Sequence, residues 1–313
     1  MKCDPFEIVI SSPEETVSSV NEKCHEKLKK MLKLTNENRY MKEICGSKWQ
    51  GVIPRSRMED ETLMKGAFNW LTKWRSCPTS TVSEIMSLLY QTLNTMCYKK
   101  HCVPADIVVD TKCRLCKVGQ ESVKHLLSNC GELAKSVYKK RHDDAFKCFF
   151  FPMLKKCGFM EEVPPWYSSI VVKPQYENEN YLINWDIPEY SGRDEESIRD
   201  AARPDGKLIM KKEKKVFLLE QTVPWISNRD EKFQLKENKY REVQSFLKLE
   251  YPGFQIDQVT LVMDVLGGYS RNLQENIEKV LVKDDVMKVI MNQQKSIISS
   301  EAHLCRVFKV RTM

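Results

Sequence analysis

The sequence has no long apolar stretch. Nowhere do about eighteen apolar residues run together, the length a helix needs to cross a bilayer, so residence in a membrane is not expected. Met1 to Pro13 lacks the basic-then-apolar order of an export signal, so secretion is not expected either. No internal repeat and no low-complexity tract occurs. At 313 residues that leaves two modest globular domains or one large one.

What is present suits such a body. The hydrophobic share is 42%, enough to bury a core. Charged residues make up 30%, with a net charge of +7. A basic balance favours a polyanionic partner, though here the excess is spread along the chain. Of the twelve cysteines, Cys3, Cys24, Cys45, Cys77, Cys97, Cys102, Cys148, Cys157 and Cys305 follow no regular spacing. They read as small core residues in a reducing compartment. The other three are close together and belong to a metal signal.

Composition shifts divide the chain into four parts. Residues 1–47 form a polar leader with a basic amphipathic stretch near Lys27–Leu34, either frayed or docked on something absent. Residues 48–107 read as a helical linker. Met64–Trp74 has helical spacing, and Thr81 with Glu84 forms a capping box for a helix Val82–Tyr98. Residues 108–160 hold a Cys/His module and a following helix. The acidic, proline-rich Glu161–Pro165 reads as a linker. Residues 161–313 then form an α/β unit with strands at Tyr181–Trp185, Leu208–Met210, Val216–Gln221 and Val259–Val265. A long helix, Glu231–Glu250, sits before the last strand and stops at Pro252 and Gly253. The expected fold is thus α/β: a helical linker and a small zinc knuckle, then a mixed central sheet flanked by helices.

The metal signal is Cys113-x2-Cys116-x8-His125-x4-Cys130. A C-x2-C turn sets two thiolates on one side of a tetrahedron, and His125 and Cys130 close it. Four protein ligands leave no open position, so the expected zinc is structural. Two turn cysteines beside unrelated residues are the plain alternative. Downstream, His142 is a fifth candidate ligand, with a packed or phosphate-facing role the better fit.

A second cluster lies around a hairpin. Asp205 opens it and Glu220 ends the apolar strand VFLLE. A carboxylate at the end of a strand covered on both faces is costly unless neutralised, and two such acids at one sheet end suit Mg²⁺. On a helical wheel, Lys232, Lys236 and Lys239 share the arc of Phe233, Leu235, Tyr240, Val243, Phe246 and Leu247. Lysines on the apolar side want an anion, and Asp205, Glu220 or a bound phosphate would serve. The expected catalytic set is Asp205, Glu220, Lys236, Lys239 and Tyr240, with Asp205 and Glu220 holding the magnesium. The same residues also fit an ordinary Lys236–Glu220 ion pair in a domain without chemistry.

The tract from Lys112 to Cys130, with Tyr138-x2-Arg141-His142, resembles the zinc knuckle of non-LTR retrotransposon polyproteins that carry a restriction-like endonuclease. Asn184–Pro188, Arg203-Pro204-Asp205, Glu220-x-Thr-Val-Pro and Lys236-x2-Lys239-Tyr240 resemble, in that order, its PD-(D/E)xK domain with the lysine moved to the helix. Trp49–Gly51, Phe68–Leu71 and Pro78–Thr92 resemble the linker before the knuckle, so the resemblance spans about residues 48–313. It implies Asp205 and Glu220 as metal-binding acids, Lys236 and Lys239 in the catalytic-lysine region, and Tyr240 as companion. It also implies a DNA nick that primes reverse transcription, DNA and element RNA as partners, and a nuclear location. Glu220 stands where many relatives have Asp, and Asp143 follows Arg141-His142 where the family has Asn. No Tyr-x-Asp-Asp polymerase motif occurs, so a longer product would supply the reverse transcriptase. A nucleic-acid-binding remnant that no longer cuts is the competing expectation, and a zinc-dependent adaptor the third.

Overall fold

The structure, a computed structural model, describes residues 17–189 and 202–312. The first sixteen residues of the expected leader lie outside it. The rest of the leader is the helix Val17–Gly46, whose side chains from His25 to Lys42 are exposed.

The framework is one five-stranded mixed sheet in the order β1 Gln175–Glu177, β2 Tyr181–Trp185, β3 Gly206–Met210, β4 Lys215–Thr222 and β5 Gln255–Val262. The first four strands run antiparallel, and β5 lies parallel to β4. A parallel return needs a crossover, and the helices Arg229–Lys239 and Arg241–Glu250 supply it.

Alternation along β4 explains which helix covers which face. Phe217 and Leu219 pack with Leu208 against Phe146, Phe149 and Phe150 of the helix Lys139–Lys156. Val216 and Leu218 pack on the other face, with Tyr240, Val243 and Leu247 of the crossover. Both faces are covered, which is why Val216–Gln221 is buried throughout and Val216–Leu219 reads as an unbroken apolar run. Burying each phenylalanine contributes about 1.5–3 kcal/mol.

No boundary between cores falls at residue 160. The helix Lys139–Lys156, expected with the knuckle, packs on the sheet and on the C-terminal helix Lys283–Arg311. A second core joins Trp70, Trp74 and Leu88 of the linker to Leu126 and Leu133 of the Cys/His module. Trp225, Leu304 and Phe308 complete it. The Glu161–Pro165 stretch lies between these cores: Val163 packs on the first and Trp166 on the second.

Several elements differ from expectation. The linker helix runs Thr79–Leu89 with Pro78 at its N-cap, and Thr81 is buried inside it rather than capping it. Gln91, at φ 54°, ends that path, and Thr95 starts a separate helix, Met96–Cys102, by accepting from the Tyr98 amide. Met64–Trp74 resolves into a 3₁₀ turn, Lys65–Phe68, and a short helix, Asn69–Lys73. The expected helix Glu231–Glu250 breaks at Tyr240, whose φ −105° and ψ 15° are not helical. The last strand is Gln255–Val262 instead of Val259–Val265.

A buried charge cluster ties the linker to this sheet. Asp264 is fully buried and takes Arg57 through both oxygens at 2.5 Å and Arg229 at 3.0 Å. The amides of Leu266 and Gly268 complete its shell at 2.9 and 3.0 Å. Only glycine fits at 268, since a Cβ there would lie 2.1 Å from Arg57 Nη1. Arg229 opens the crossover, so the cluster sets where that helix begins. Replacing Asp264 by Ala should leave two buried guanidiniums short of a partner and cost about 3–5 kcal/mol, read as a lower denaturation midpoint in urea. A loss under about 1 kcal/mol would show that the cluster is not a fastening.

Candidate functional site

The Cys/His module is built around a tight turn. Cys113 donates its amide to Gly119 O at 2.7 Å, and Lys117, at φ 61°, turns the chain back. Ser122 then accepts from the His125 amide at 3.1 Å and starts the helix Val123–Ser128, so His125 sits in its first turn. Tyr138 holds the far side, accepting from the Cys130 amide at 3.1 Å and donating to Leu126 O at 2.6 Å. Fully buried Glu121 fastens the module to its neighbours, accepting from the amides of Arg114 and Met96 at 2.6 and 2.9 Å.

This scaffold brings the four expected ligands together. Cys113 Sγ and Cys130 Sγ are 4.0 Å apart, Cys116 Sγ and His125 Nε2 are 3.3 Å apart, and all four ligand atoms lie within 4.8 Å of one another. Zinc–sulfur bonds of about 2.3 Å in a tetrahedron imply sulfurs about 3.8 Å apart, so the cluster can hold a metal ion such as zinc. Burial opposes ionisation of Cys116. The amides of Gly119 and Val118, with Cys113 and His125, overcome it and hold the thiol below its ordinary range. That is the form a metal needs.

The second cluster gathers at the ends of β3 and β4. Glu220 lies next to Thr260 of β5 and is 2% exposed. Lys236 Nζ bonds its Oε1 and the Tyr240 hydroxyl donates to its Oε2. Lys239 Nζ lies 4.0 Å from Oε2 and 2.8 Å from the Tyr240 hydroxyl. Burial, then the charge of Asp205, raises the proton affinity of Glu220, while Lys236 and Tyr240 pull it back. Lys239 is pushed below the usual lysine range by burial, with Lys236 adding to the effect. Asp205 accepts from the Gln221 amide at 2.6 Å through Oδ2.

His142 joins this cluster, not the Cys/His one. Its Nε2 lies 3.0 Å from Asp205 Oδ2 and 2.9 Å from Gln221 O, and its Nδ1 lies 3.0 Å from Asp143 Oδ1. Burial disfavours its charge, but the two carboxylates outweigh that and raise it to about 10. The imidazolium therefore donates from both nitrogens at neutral pH. The role of Arg141 is structural: it spans to buried Glu301 on the C-terminal helix and donates to Leu127 O at 2.9 Å.

The inward-lysine expectation divides. Lys236 meets Glu220 and Lys239 stays near it, but Lys232 lies at the rim of a cleft and Leu235, expected in the core, is 51% exposed. That cleft, of about 340 Å³, opens between the Cys/His module and the end of β4. Lys124, Arg141, His142 and Lys232 line it and no carboxylate does; Asp205 and Glu220 stand behind His142 instead of in its wall. Among the described residues, the Cys/His set is the group of three or more close His, Cys, Asp or Glu ligands, and neither Asp205 nor Glu220 belongs to it.

No protein-family model matches the sequence, and no curated protein matches it.

Gly119 offers a test of the metal centre that leaves every ligand in place. A Cβ there would lie 2.5 Å from His125 Cε1 and Nδ1, so Gly119→Ala should swing the ring away. Both Gly119→Ala and Cys116→Ser should lower bound zinc per chain, read by atomic emission. Chelation of the wild type should raise amide exchange across residues 108–145, because metal binding there is folding energy. Unchanged exchange after complete metal removal would refute the assignment.

Proposed function

We propose that the chain is a metal-dependent DNA endonuclease carrying a structural zinc module, of the restriction-like kind found in non-LTR retrotransposon polyproteins. The observation that carries this is the meeting of Glu220, Lys236, Lys239 and Tyr240, with Asp205 close enough for its charge to act on Glu220. The mixed sheet flanked by helices and the carboxylate-free basic cleft beside His142 accord with it. The zinc would be structural, since three cysteines and one histidine fill a tetrahedron.

Magnesium fits the chemistry of the acids. The charge of Asp205 makes Glu220 harder to ionise, a cost that a cation held by both would relieve, and Lys236 now partly offsets it. Asp205 and Glu220 would hold the ion, which would polarise the scissile phosphate and lower the pKa of a bound water. The chain's own groups do the rest. Tyr240 fixes the plane of the Glu220 carboxylate, and His142 with the Gln221 amide fixes Asp205. Lys124 and Lys232 would neutralise the backbone of the DNA strand in the cleft. Lys236 and Lys239 would donate to the charge that grows on the phosphoryl oxygens. The nick would then serve a reverse transcriptase supplied by a longer product, with DNA and element RNA as partners in the nucleus.

One observation favours a second reading. Both oxygens of Glu220 are already engaged, by Lys236 and Tyr240, as in an inert ion pair. On that reading the chain binds nucleic acid without cutting it.

Supercoiled plasmid with Mg²⁺ separates the two. Wild-type protein should give open circles, while Asp205→Ala and Lys236→Ala should slow nicking by about a hundredfold or more. Nicking that persists in Asp205→Ala would eliminate this site. Salt-sensitive binding without nicking would establish the second reading.

A further inference from the structure

The exposed side of the helix Lys139–Lys156 carries a surface that the nuclease reading does not use. Tyr167 is 72% exposed, yet its ring is braced. It meets Trp166 edge-on at 5.3 Å and 89°, and Trp166 meets buried Trp74 edge-on at 5.4 Å and 82°. An aromatic ring held firmly from behind and open in front is ready to stack on something without first being ordered.

Two clefts, of about 500 and 430 Å³, meet at Tyr167 and share Ser136, Lys140 and Asp144. Five basic side chains line them: Lys135, Lys139, Lys140, Lys147 and Arg311. The two carboxylates present are already engaged within the protein. Asp144 takes Lys140 and Lys147, and Asp143 takes His142. Lys135 is engaged too, by Glu132 at 2.9 Å, whereas among the described residues no carboxylate forms an ion pair with Lys139 or Arg311. The surface therefore offers cations and serine hydroxyls around one fixed aromatic ring.

We propose that this groove binds single-stranded nucleic acid, with phosphates along the lysines and an unpaired base on Tyr167. Basic grooves with an aromatic platform suit single strands, whose base faces are free, whereas a duplex keeps its bases stacked inside. At its Asp143 end the groove adjoins His142, which touches Asp205. A strand lying there is led to the carboxylate cluster. Binding requires no cleavage, so the groove stands whether or not the chain is a nuclease.

Fluorescence anisotropy with the full chain tests it, using a labelled DNA of about sixteen nucleotides as a single strand and as a duplex. Tyr167→Ala should weaken single-strand binding about tenfold and change duplex binding by less than about twofold. Tyr167→Phe should restore it. The pair Lys139→Glu with Lys140→Glu should weaken binding and flatten its salt dependence. A failed plasmid assay beside Tyr167-dependent binding counts against the nuclease alone. The proposal is overturned if Tyr167→Ala binds the single strand unchanged, or loses duplex binding equally. It is overturned too if poly-glutamate binds as tightly as DNA, which would make the groove a surface for acidic proteins.

Discussion

A carboxylate sealed inside a protein must find a positive partner or take up a proton, and Glu220 is sealed: it is 2% exposed near the end of β4, in the buried run Val216–Gln221. Much of the neighbouring structure answers that demand. The crossover helices approach β4 so that Lys236 and Tyr240 reach the two oxygens. To bring its hydroxyl there, Tyr240 leaves helical geometry, and the crossover becomes two helices instead of one. Asp205 then sets the opposite requirement, for its charge makes Glu220 harder to ionise. His142 carries the countercharge to Asp205. The cluster thus sets two carboxylates side by side, each held by its own cation: Glu220 by Lys236 and Asp205 by His142.

Placement of these groups depends on parts remote in sequence. His142 points at Asp205 because the helix Lys139–Lys156 is held by the sheet on one side and the C-terminal helix on the other, where Arg141 meets buried Glu301. The Cys/His module sits at the start of that helix, through Tyr138 and the core it shares with the linker. The crossover begins where Arg229 enters the Asp264 cluster, which the linker completes with Arg57. A metal in the module would thus steady one wall of the basic cleft, and the linker would steady the other.

Local signals in the sequence carried the parts that local chemistry controls. The C-x2-C turn and its two later ligands are close in sequence, so their meeting depends on few residues. The apolar run ending at Glu220 announced a strand covered on both faces. The Lys236–Glu220 contact was readable from the helical arc, because a lysine among core residues needs an anion. Other features were set by tertiary packing. The break at Tyr240 exists to meet Glu220, twenty positions away, and no breaker residue marks it. The three-residue strand β1 is too short to show a period. His142 gave no hint of Asp205, since 63 positions and several elements separate them. The acidic, proline-bearing Glu161–Pro165 looked like a linker by composition, whereas Val163 and Trp166 anchor that stretch on two cores.

On the proposed nuclease reading the Lys236–Glu220 contact would have to open, so the ease with which the lysine withdraws bears on that reading. Its side chain is 26% exposed, unlike that of Glu220, so water can take up the ammonium as it leaves. Lys239 stands 4.0 Å from the other carboxyl oxygen and remains to balance part of the charge. Withdrawal without replacement would leave a buried carboxylate short of a partner, at a cost of several kcal/mol. On the proposed reading, a divalent cation held by Glu220 and Asp205 would offset that cost. The proposed nuclease therefore requires that Lys236 be able to leave Glu220, whereas a nucleic-acid binder does not. On the inert reading the contact stays closed, and the basic cleft beside His142 would serve binding alone.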